Sequence, residues 1–169
     1  LSKVHLAVIT NGSLLWDADV RYALCAADVV LPSLDAGNAR IFEYVDRPVS
    51  GISFEKMLGG LVRFRESFQN AIWLEVMLMA GVTSGESEVR EIAEWVRRIR
   101  PDRVQVNTVV RPPSESFALP IPRDRLELLA TLFDPCAEVI ADYSGAAQET
   151  EAVPDAVRIL ELVERRPCS

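Results

Sequence analysis

The chain has 169 residues, 49% of them hydrophobic, and a formal net charge of −7 at pH 7. This length suits one domain with its own core, and the acidic balance argues against broad nucleic-acid binding, which depends on Lys and Arg. No apolar run approaches the ~20 residues of a membrane-spanning helix, and the scattered cysteines Cys25, Cys136 and Cys168 form neither a disulfide framework nor a metal knuckle. We therefore expect a cytoplasmic protein without membrane contact.

Short apolar runs alternate along the chain with longer segments of helical period. Five of these runs predict strands: Val4–Thr10, Val29–Leu34, Ile72–Met79, Arg103–Val109 and Glu138–Ala141. Runs that are apolar nearly throughout are typical of parallel strands buried on both faces. The only histidine, His5, falls inside the first run, which favours a role in the core or at the sheet edge over a catalytic one.

Helices are predicted between these strands. They cover Asp17–Ala27, Gly37–Asp46, a segment that opens at Ser53, a segment between Ser84 and Pro101, and Pro122–Phe133. Ser53 is a good N-cap, and Pro101 ends the fourth helix. Cys25 lies in the first helix, where we expect it to be packed.

This serial order of strand and helix predicts an α/β fold with a parallel sheet and right-handed crossovers. Either an open doubly wound sheet or a barrel fits the pattern, and about five strands are too few for a full eight-stranded barrel. In both folds, function is expected at the carboxyl ends of the strands.

Polar residues follow the first two strands. Thr10-Asn11-Gly12 is either an ordinary turn, since Asn-Gly readily takes positive φ, or a turn whose backbone and side chains approach a ligand. Ser33 and Asp35 alternate at the end of the second strand and so point to one face. Asp35 either caps the next helix or contacts a ligand.

The third and fourth strands carry polar residues of their own. Glu75 lies mid-strand among apolar neighbours, where a carboxylate is costly unless it is paired. Either it faces water from an edge position, against which its five apolar neighbours argue, or it serves a ligand. Gln105 and Asn107 share one face of the next strand and are expected near Glu75. Arg111 either holds an anionic group or belongs to a rigid surface loop with Pro112. These polar strand ends predict a ligand-binding site at the mouth of the fold, but they do not indicate which reaction takes place there.

The ordered set of segments is more specific than any one of them. It comprises Ile9-Thr10-Asn11-Gly12-Ser13, Val30–Ala36, Asp46-Arg47-Pro48, Leu74–Val82 and Ile99–Thr108. This series resembles the middle and end of the barrel of radical S-adenosylmethionine (radical SAM) enzymes, with the greatest likeness to a subgroup related to wyosine-type tRNA-modifying and molybdenum-cofactor cyclase enzymes. The resemblance implies a partial (β/α) barrel of parallel strands over residues 1–145 that lacks the first two βα units.

The resemblance also implies a cofactor site. Seven residues would contact S-adenosylmethionine or line its pocket: Thr10, Asn11, Gly12, Ser33, Asp35, Glu75 and Asn107. In the family, the turn after the third barrel strand borders the cofactor, and the end of the fourth strand holds its ribose and methionine parts. The fifth and sixth strands line the cofactor or substrate pocket.

One departure from the family is decisive for activity. The family binds a [4Fe–4S] cluster through a C-x-x-x-C-x-x-C loop after its first strand, and the three cysteines here are too dispersed to replace it. We therefore expect a fragment that is inactive by itself, whose parent protein starts upstream and binds the cluster. The alternative is a non-catalytic binding or interaction domain derived from the same fold.

Two further expectations concern the end of the chain and its partners. Residues 146–152 read as a linker, and residues 153–169 as either a lone barrel helix or the start of a winged-helix module. The substrate, a small molecule or an RNA-derived group, is not identified by the sequence. An open barrel leaves strand edges unpaired, which favours self-association.

Overall fold

Within residues 4–143, which the computed structural model describes, five parallel strands form one sheet in chain order. The elements are β1 (Ala7–Thr10), α1 (Ala18–Leu24), β2 (Val29–Pro32), α2 (Ala39–Val45), α3 (Phe54–Ser67), β3 (Ala71–Leu78), α4 (Glu86–Ile99), β4 (Arg103–Thr108), α5 (Arg123–Ala130) and β5 (Glu138–Val139). The predicted α/β class with a parallel sheet is confirmed. The predicted linker, the final helix and Cys168 lie outside the described residues.

The three central strands, β2, β3 and β4, are buried on one face only. Along β3, Ile72, Leu74, Val76 and Leu78 are almost fully buried, and they alternate with half-buried residues. The helices cover this first face with apolar side chains, among them Phe64 and Phe68, which stack with ring centroids 4.7 Å apart. The prediction of strands buried on both faces was therefore wrong, because no described helix covers the second face.

The first strand shows the clearest departure from the sequence-based expectation. β1 begins at Ala7, and His5 lies before it with 78% of its side chain exposed. The backbone N–H of Leu6 donates to the carboxylate of Asp28 (2.8 Å), which ends the regular pairing. Because β1 pairs only with β2 among the described strands, it is an edge, and Ile9 remains 76% exposed.

The helices begin and end close to the predicted residues. The hydroxyl of Ser53 accepts from the backbone N–H of Lys56 (3.2 Å), which confirms the predicted N-cap of α3. α4 ends at Ile99; its C-cap Arg100 has a left-handed φ of 55°, and Pro101 follows. Cys25 is exposed at the end of α1, a helix with no buried residue, so its predicted packed position was wrong.

Helix α3 lies unusually close to the loop between β1 and α1. A Cβ atom built on Gly60 would stand 2.4 Å from the backbone nitrogen of Trp16 and 2.6 Å from the carbonyl carbon of Leu15. Only glycine permits this approach without movement. The contact holds the loop after β1 against the helix layer. In the described part of the chain, the helices are too short or too polar to cross a membrane.

Candidate functional site

The turn after β1 is built from its own polar side chains. The hydroxyl of Thr10 accepts from the N–H of Gly12 (3.2 Å), and the side-chain oxygen of Asn11 accepts from the N–H of Ser13 (3.1 Å). Gly12 has φ of 72°, a conformation that favours glycine. Asn11 is nevertheless exposed on the outer side of the turn. The side chains of the turn thus bond its own backbone N–H groups, and Asn11 remains exposed.

Beyond the end of β2, the chain stays paired with β3, first through its backbone and then through the side chain of Asp35. Ser33 forms a parallel bridge with Glu75, and the N–H of Leu34 donates to the carbonyl of Glu75 (2.9 Å). One residue further, the carboxylate of Asp35 accepts from the backbone N–H of Met77 (2.8 Å). Asp35 does not cap the next helix, because Asn38 holds that position in α2. The side chain of Asp35 therefore replaces a backbone carbonyl in the ladder.

Glu75 and Asn107 form the centre of the polar mouth. β3 and β4 pair in a register that sets Glu75 beside Gln105 and Met77 beside Asn107. The amide of Asn107 donates to the carboxylate of Glu75 (3.1 Å), and its oxygen accepts from the N–H of Thr108 (2.9 Å). Glu75 lies in the middle of the sheet rather than at a water-facing edge. Its hydrogen bond to Asn107 satisfies part of its need for partners.

An open pocket of about 680 Å³ lies over these two residues. Its wall combines Glu75, Asn107 and Arg111 with apolar groups such as Met77 and Met79. The pocket has a carboxylate at its floor and an exposed guanidinium in the loop above. This lining suits a ligand with both polar and apolar parts.

A second, smaller pocket of about 190 Å³ lies beside the turn after β1. Asn11 and Ser13 line it together with Asp46 and Arg47 from the end of α2. The seven predicted residues therefore do not share one cavity: Glu75 and Asn107 line the larger pocket, and Asn11 lines the smaller one. Ser33 and Asp35 lie at the strand end between the turn and β3.

The carboxylates of this region repel one another. Removal from water raises the pKa of Asp35 to about 7, the hydrogen bond from Met77 opposes this rise, and the charges of Asp46 and Glu75 add to it. Removal from water also raises the pKa of Asp46 to about 6. A carboxyl group that titrates near neutral pH at a strand end is typical of a functional site. Sequence reasoning did not assign Asp46 to the site, although its position directly after a helix offered a signal.

The cysteines do not gather at this site. Cys25 and Cys136 are both exposed thiols, one at the end of α1 and the other before β5. In residues 4–143, no three His, Cys, Asp or Glu side chains are grouped so as to hold a metal ion. An iron–sulfur cluster needs grouped thiolates, and these two positions do not fit that requirement.

Sequence comparison links the chain to several curated proteins. A UPF0026 protein of Helicobacter pylori is 33% identical over 171 residues, covering 100% of this chain and 54% of that protein. A UPF0026 protein of Methanocaldococcus jannaschii is 28% identical over 137 residues, covering 81% of this chain and 42% of that protein. A Brachyspira hyodysenteriae protein named GTPase Obg is 34% identical over 151 residues, covering 89% of this chain and 22% of that protein. The chain thus spans about half, or less, of the length of these relatives. No family model matches it.

Solved structures share the fold at low sequence identity. A domain of a pyruvate-formate lyase-activating enzyme from Bacteroides vulgatus has a TM-score of 0.63 at 13% identity, over 82% of this chain and 81% of that one. A radical SAM methyltransferase from Sphaerobacter thermophilus has a TM-score of 0.62 at 16% identity, over 83% of this chain and 41% of that one. The structure of Streptococcus suis SuiB bound to S-adenosylmethionine has a TM-score of 0.56 at 12% identity, over 80% of this chain and 32% of that one. The predicted partial barrel of parallel strands is confirmed as a fold, and one of these structural neighbours is named a radical SAM methyltransferase.

Proposed function

We propose that the chain is part of a radical SAM enzyme and carries most of the wall that binds S-adenosylmethionine. One observation supports this most strongly. Glu75 and Asn107 are hydrogen-bonded on adjacent strands at the floor of a 680 Å³ pocket, at the carboxyl end of a sheet with this fold. In parallel α/β folds, ligands bind at that end of the strands.

The described side chains fit parts of the cofactor. Glu75 and Asp35 supply carboxylates suited to hydroxyl or ammonium groups, and Asn107 offers an amide beside them. Met77, Met79 and the loop after β4 supply apolar surface suited to a base or thioether. Asn11 and Ser33 would complete the wall on the side of β1 and β2. When bound in the family, S-adenosylmethionine and the reduced cluster supply a 5′-deoxyadenosyl radical.

The cluster itself belongs to the proposed parent protein rather than to this chain. Among the described residues, no three metal-ligating side chains are grouped, so no chemical step is assigned to them. The free thiols of Cys25 and Cys136 agree with a reducing, cytoplasmic setting. The subgroup related to wyosine and molybdenum-cofactor enzymes remains a prediction, as does a small-molecule or RNA-derived substrate without broad nucleic-acid binding. The alternative function is a non-catalytic binding domain of the same fold.

Titration calorimetry with S-adenosylmethionine tests the binding wall. We expect binding by the chain as it stands, weaker than in an intact enzyme, and a loss of about tenfold in affinity for Glu75→Gln, since a charge-assisted hydrogen bond is removed. The matched control is Glu127→Gln, an exposed glutamate of α5, which should leave affinity unchanged. Absence of heat with the wild-type chain, or equal losses in both variants, would reject the proposal.

A second experiment separates the enzyme from the binding domain. The longer protein that contains this chain should, after anaerobic reconstitution, show broad iron–sulfur absorbance and cleave S-adenosylmethionine when reduced. Cofactor binding without either property would favour the non-catalytic alternative.

A further inference from the structure

The loop between β4 and α5, residues 109–120, contains one arginine and one glutamate, Arg111 and Glu115. Glu115 is engaged elsewhere, because its carboxylate forms an ion pair with Arg47, just beyond α2 (2.6 Å). Among residues 4–143, no acidic side chain pairs with Arg111, which is exposed. The loop therefore presents a guanidinium without a counter-charge at the mouth of the sheet.

Several contacts hold this loop in place. Its two ends meet at the buried Thr108, whose hydroxyl accepts from the backbone N–H of Ile121 (3.0 Å). The carbonyl of Leu119 accepts from the N–H of Ala80, in the loop after β3 (3.0 Å). The two residues after Arg111 are prolines, and each fixes one backbone φ angle. A loop held in this way keeps the guanidinium in one region, so less entropy is lost when a ligand binds.

The guanidinium belongs to the wall of the larger pocket. Arg111 lines this pocket of about 680 Å³ together with Glu75 and Asn107. The pocket is open, and it reaches along the uncovered face of the sheet to the exposed Ile9. A ligand from solution therefore reaches Arg111 without any movement of the loop. Glu75 on β3 and Arg111 after β4 give the pocket one negative and one positive group.

The chemistry of Arg111 differs from that of the proposed cofactor wall. The seven residues of that wall lie in or directly after the first four strands, and none of them carries a positive charge. A guanidinium offers five N–H donors in a planar fork, which pairs bidentately with a carboxylate or a phosphate. An anionic group beside the cofactor is the partner that this side chain lacks.

We propose that Arg111 binds an oxyanion of the substrate, a carboxylate or a phosphate group, next to the proposed cofactor wall. The substrate class is thus a molecule that carries such a group. This inference rests on the proposed function, because it treats the anion as part of the substrate that meets the cofactor in this pocket.

Arginine modification measures whether the guanidinium is occupied. Phenylglyoxal modifies exposed arginines of the native chain, and mass spectrometry of peptides gives the rate at each position. Inorganic phosphate in one series, or succinate in another, should slow modification of Arg111 saturably, by about threefold when the anion is at twice its Kd. Sodium chloride at equal ionic strength should not reproduce this slowing. A response to phosphate alone identifies a phosphate group in the substrate, and a response to succinate alone identifies a carboxylate.

Arg63 and Arg100 are matched controls for this measurement. Both are exposed, lie on α3 and at the end of α4, outside this pocket, and have no ion pair in the described part of the chain. Neither anion should change their modification rates. Unchanged modification of Arg111, or equal slowing at all three arginines, would overturn the inference, since equal slowing indicates a general effect of the anion.

Calorimetry separates this inference from the proposed cofactor binding. Arg111→Gln should bind S-adenosylmethionine with unchanged affinity, whereas Glu75→Gln loses about tenfold. An equal loss in Arg111→Gln would assign the guanidinium to the cofactor and overturn its role toward the substrate. If the wild-type chain does not bind S-adenosylmethionine, the cofactor proposal fails, and protection of Arg111 by phosphate or succinate still decides whether the anion site exists.

Discussion

The carboxylate of Asp35 accepts a hydrogen bond that supports the sheet, but its negative charge is energetically unfavourable there. Its carboxylate accepts the Met77 N–H that a backbone carbonyl would otherwise take, yet it lies near Asp46 and Glu75. The bond favours the charged form, and removal from water with the two neighbouring charges outweighs it. A residue selected only for stability would not need this charge, and on this ground we propose that Asp35 belongs to the site.

Asparagine at this position keeps the bond and removes the charge. The pKa of Asp35 rises from 3.8 to about 7 on folding, so unfolding releases a proton between these pH values. The free energy of unfolding contributed by this group therefore falls as pH rises through that window. We expect Asp35→Asn to be more stable than the wild type by up to about 4 kcal/mol at pH 8, and equally stable near pH 3. Urea denaturation at both pH values measures this; equal stability at pH 8 would contradict it.

At the scale of elements, the approach of α3 to the loop after β1 positions the turn of Thr10–Ser13. Gly60 permits backbone contact at this point, whereas Gly59, one residue earlier, faces only the flexible side chain of Arg63 at 3.4 Å. The two adjacent glycines thus differ in their surroundings while sharing one helix.

This pair gives a matched test of the packing. Gly60→Ala should lower the free energy of unfolding by about 2–3 kcal/mol, because the new methyl group overlaps the backbone of Trp16. Gly59→Ala should leave it unchanged or raise it by up to ~1 kcal/mol, through higher helix propensity. Thermal and urea denaturation of both variants decide the matter. Similar losses in the two variants would show that the close approach is not what makes Gly60 necessary.

At the scale of the whole molecule, the second face of the sheet and the edge of β1 are not covered by any described element. Exposed edges with apolar residues invite pairing with another chain, and β1 has no Lys or Pro to prevent it. We propose that the chain self-associates through this edge.

Light scattering after size exclusion tests self-association. The wild-type chain, of 18.8 kDa, should show an average mass that rises with concentration. Ile9→Lys places a charge on the edge strand and should shift the mass toward the monomer. Leu128→Lys, on an exposed position of α5, is the control and should behave as the wild type. A monomer at all concentrations would exclude this mode of pairing.

The sequence predicted the order and approximate bounds of all ten described elements, because burial leaves a regular apolar pattern along the chain. It also led to Glu75 and Asn107, since polar residues are conspicuous in apolar strands. The hydrogen bond from Met77 to Asp35 joins residues 42 positions apart, and an ion pair joins Arg47 to Glu115. Such contacts depend on tertiary placement and leave no periodic signal, so sequence reasoning missed them.

The hydrogen bond between the Asp35 carboxylate, just after β2, and the backbone of β3 makes one backbone amide a spectroscopic reporter. The Met77 N–H donates to Asp35, so its proton and nitrogen resonances should titrate with that carboxyl group, at pH values near 7. A cationic ligand beside Asp35 would favour the ionised form and move this titration to lower pH. A single cross-peak would therefore record both the charge of the site and its occupancy, without any label near the pocket.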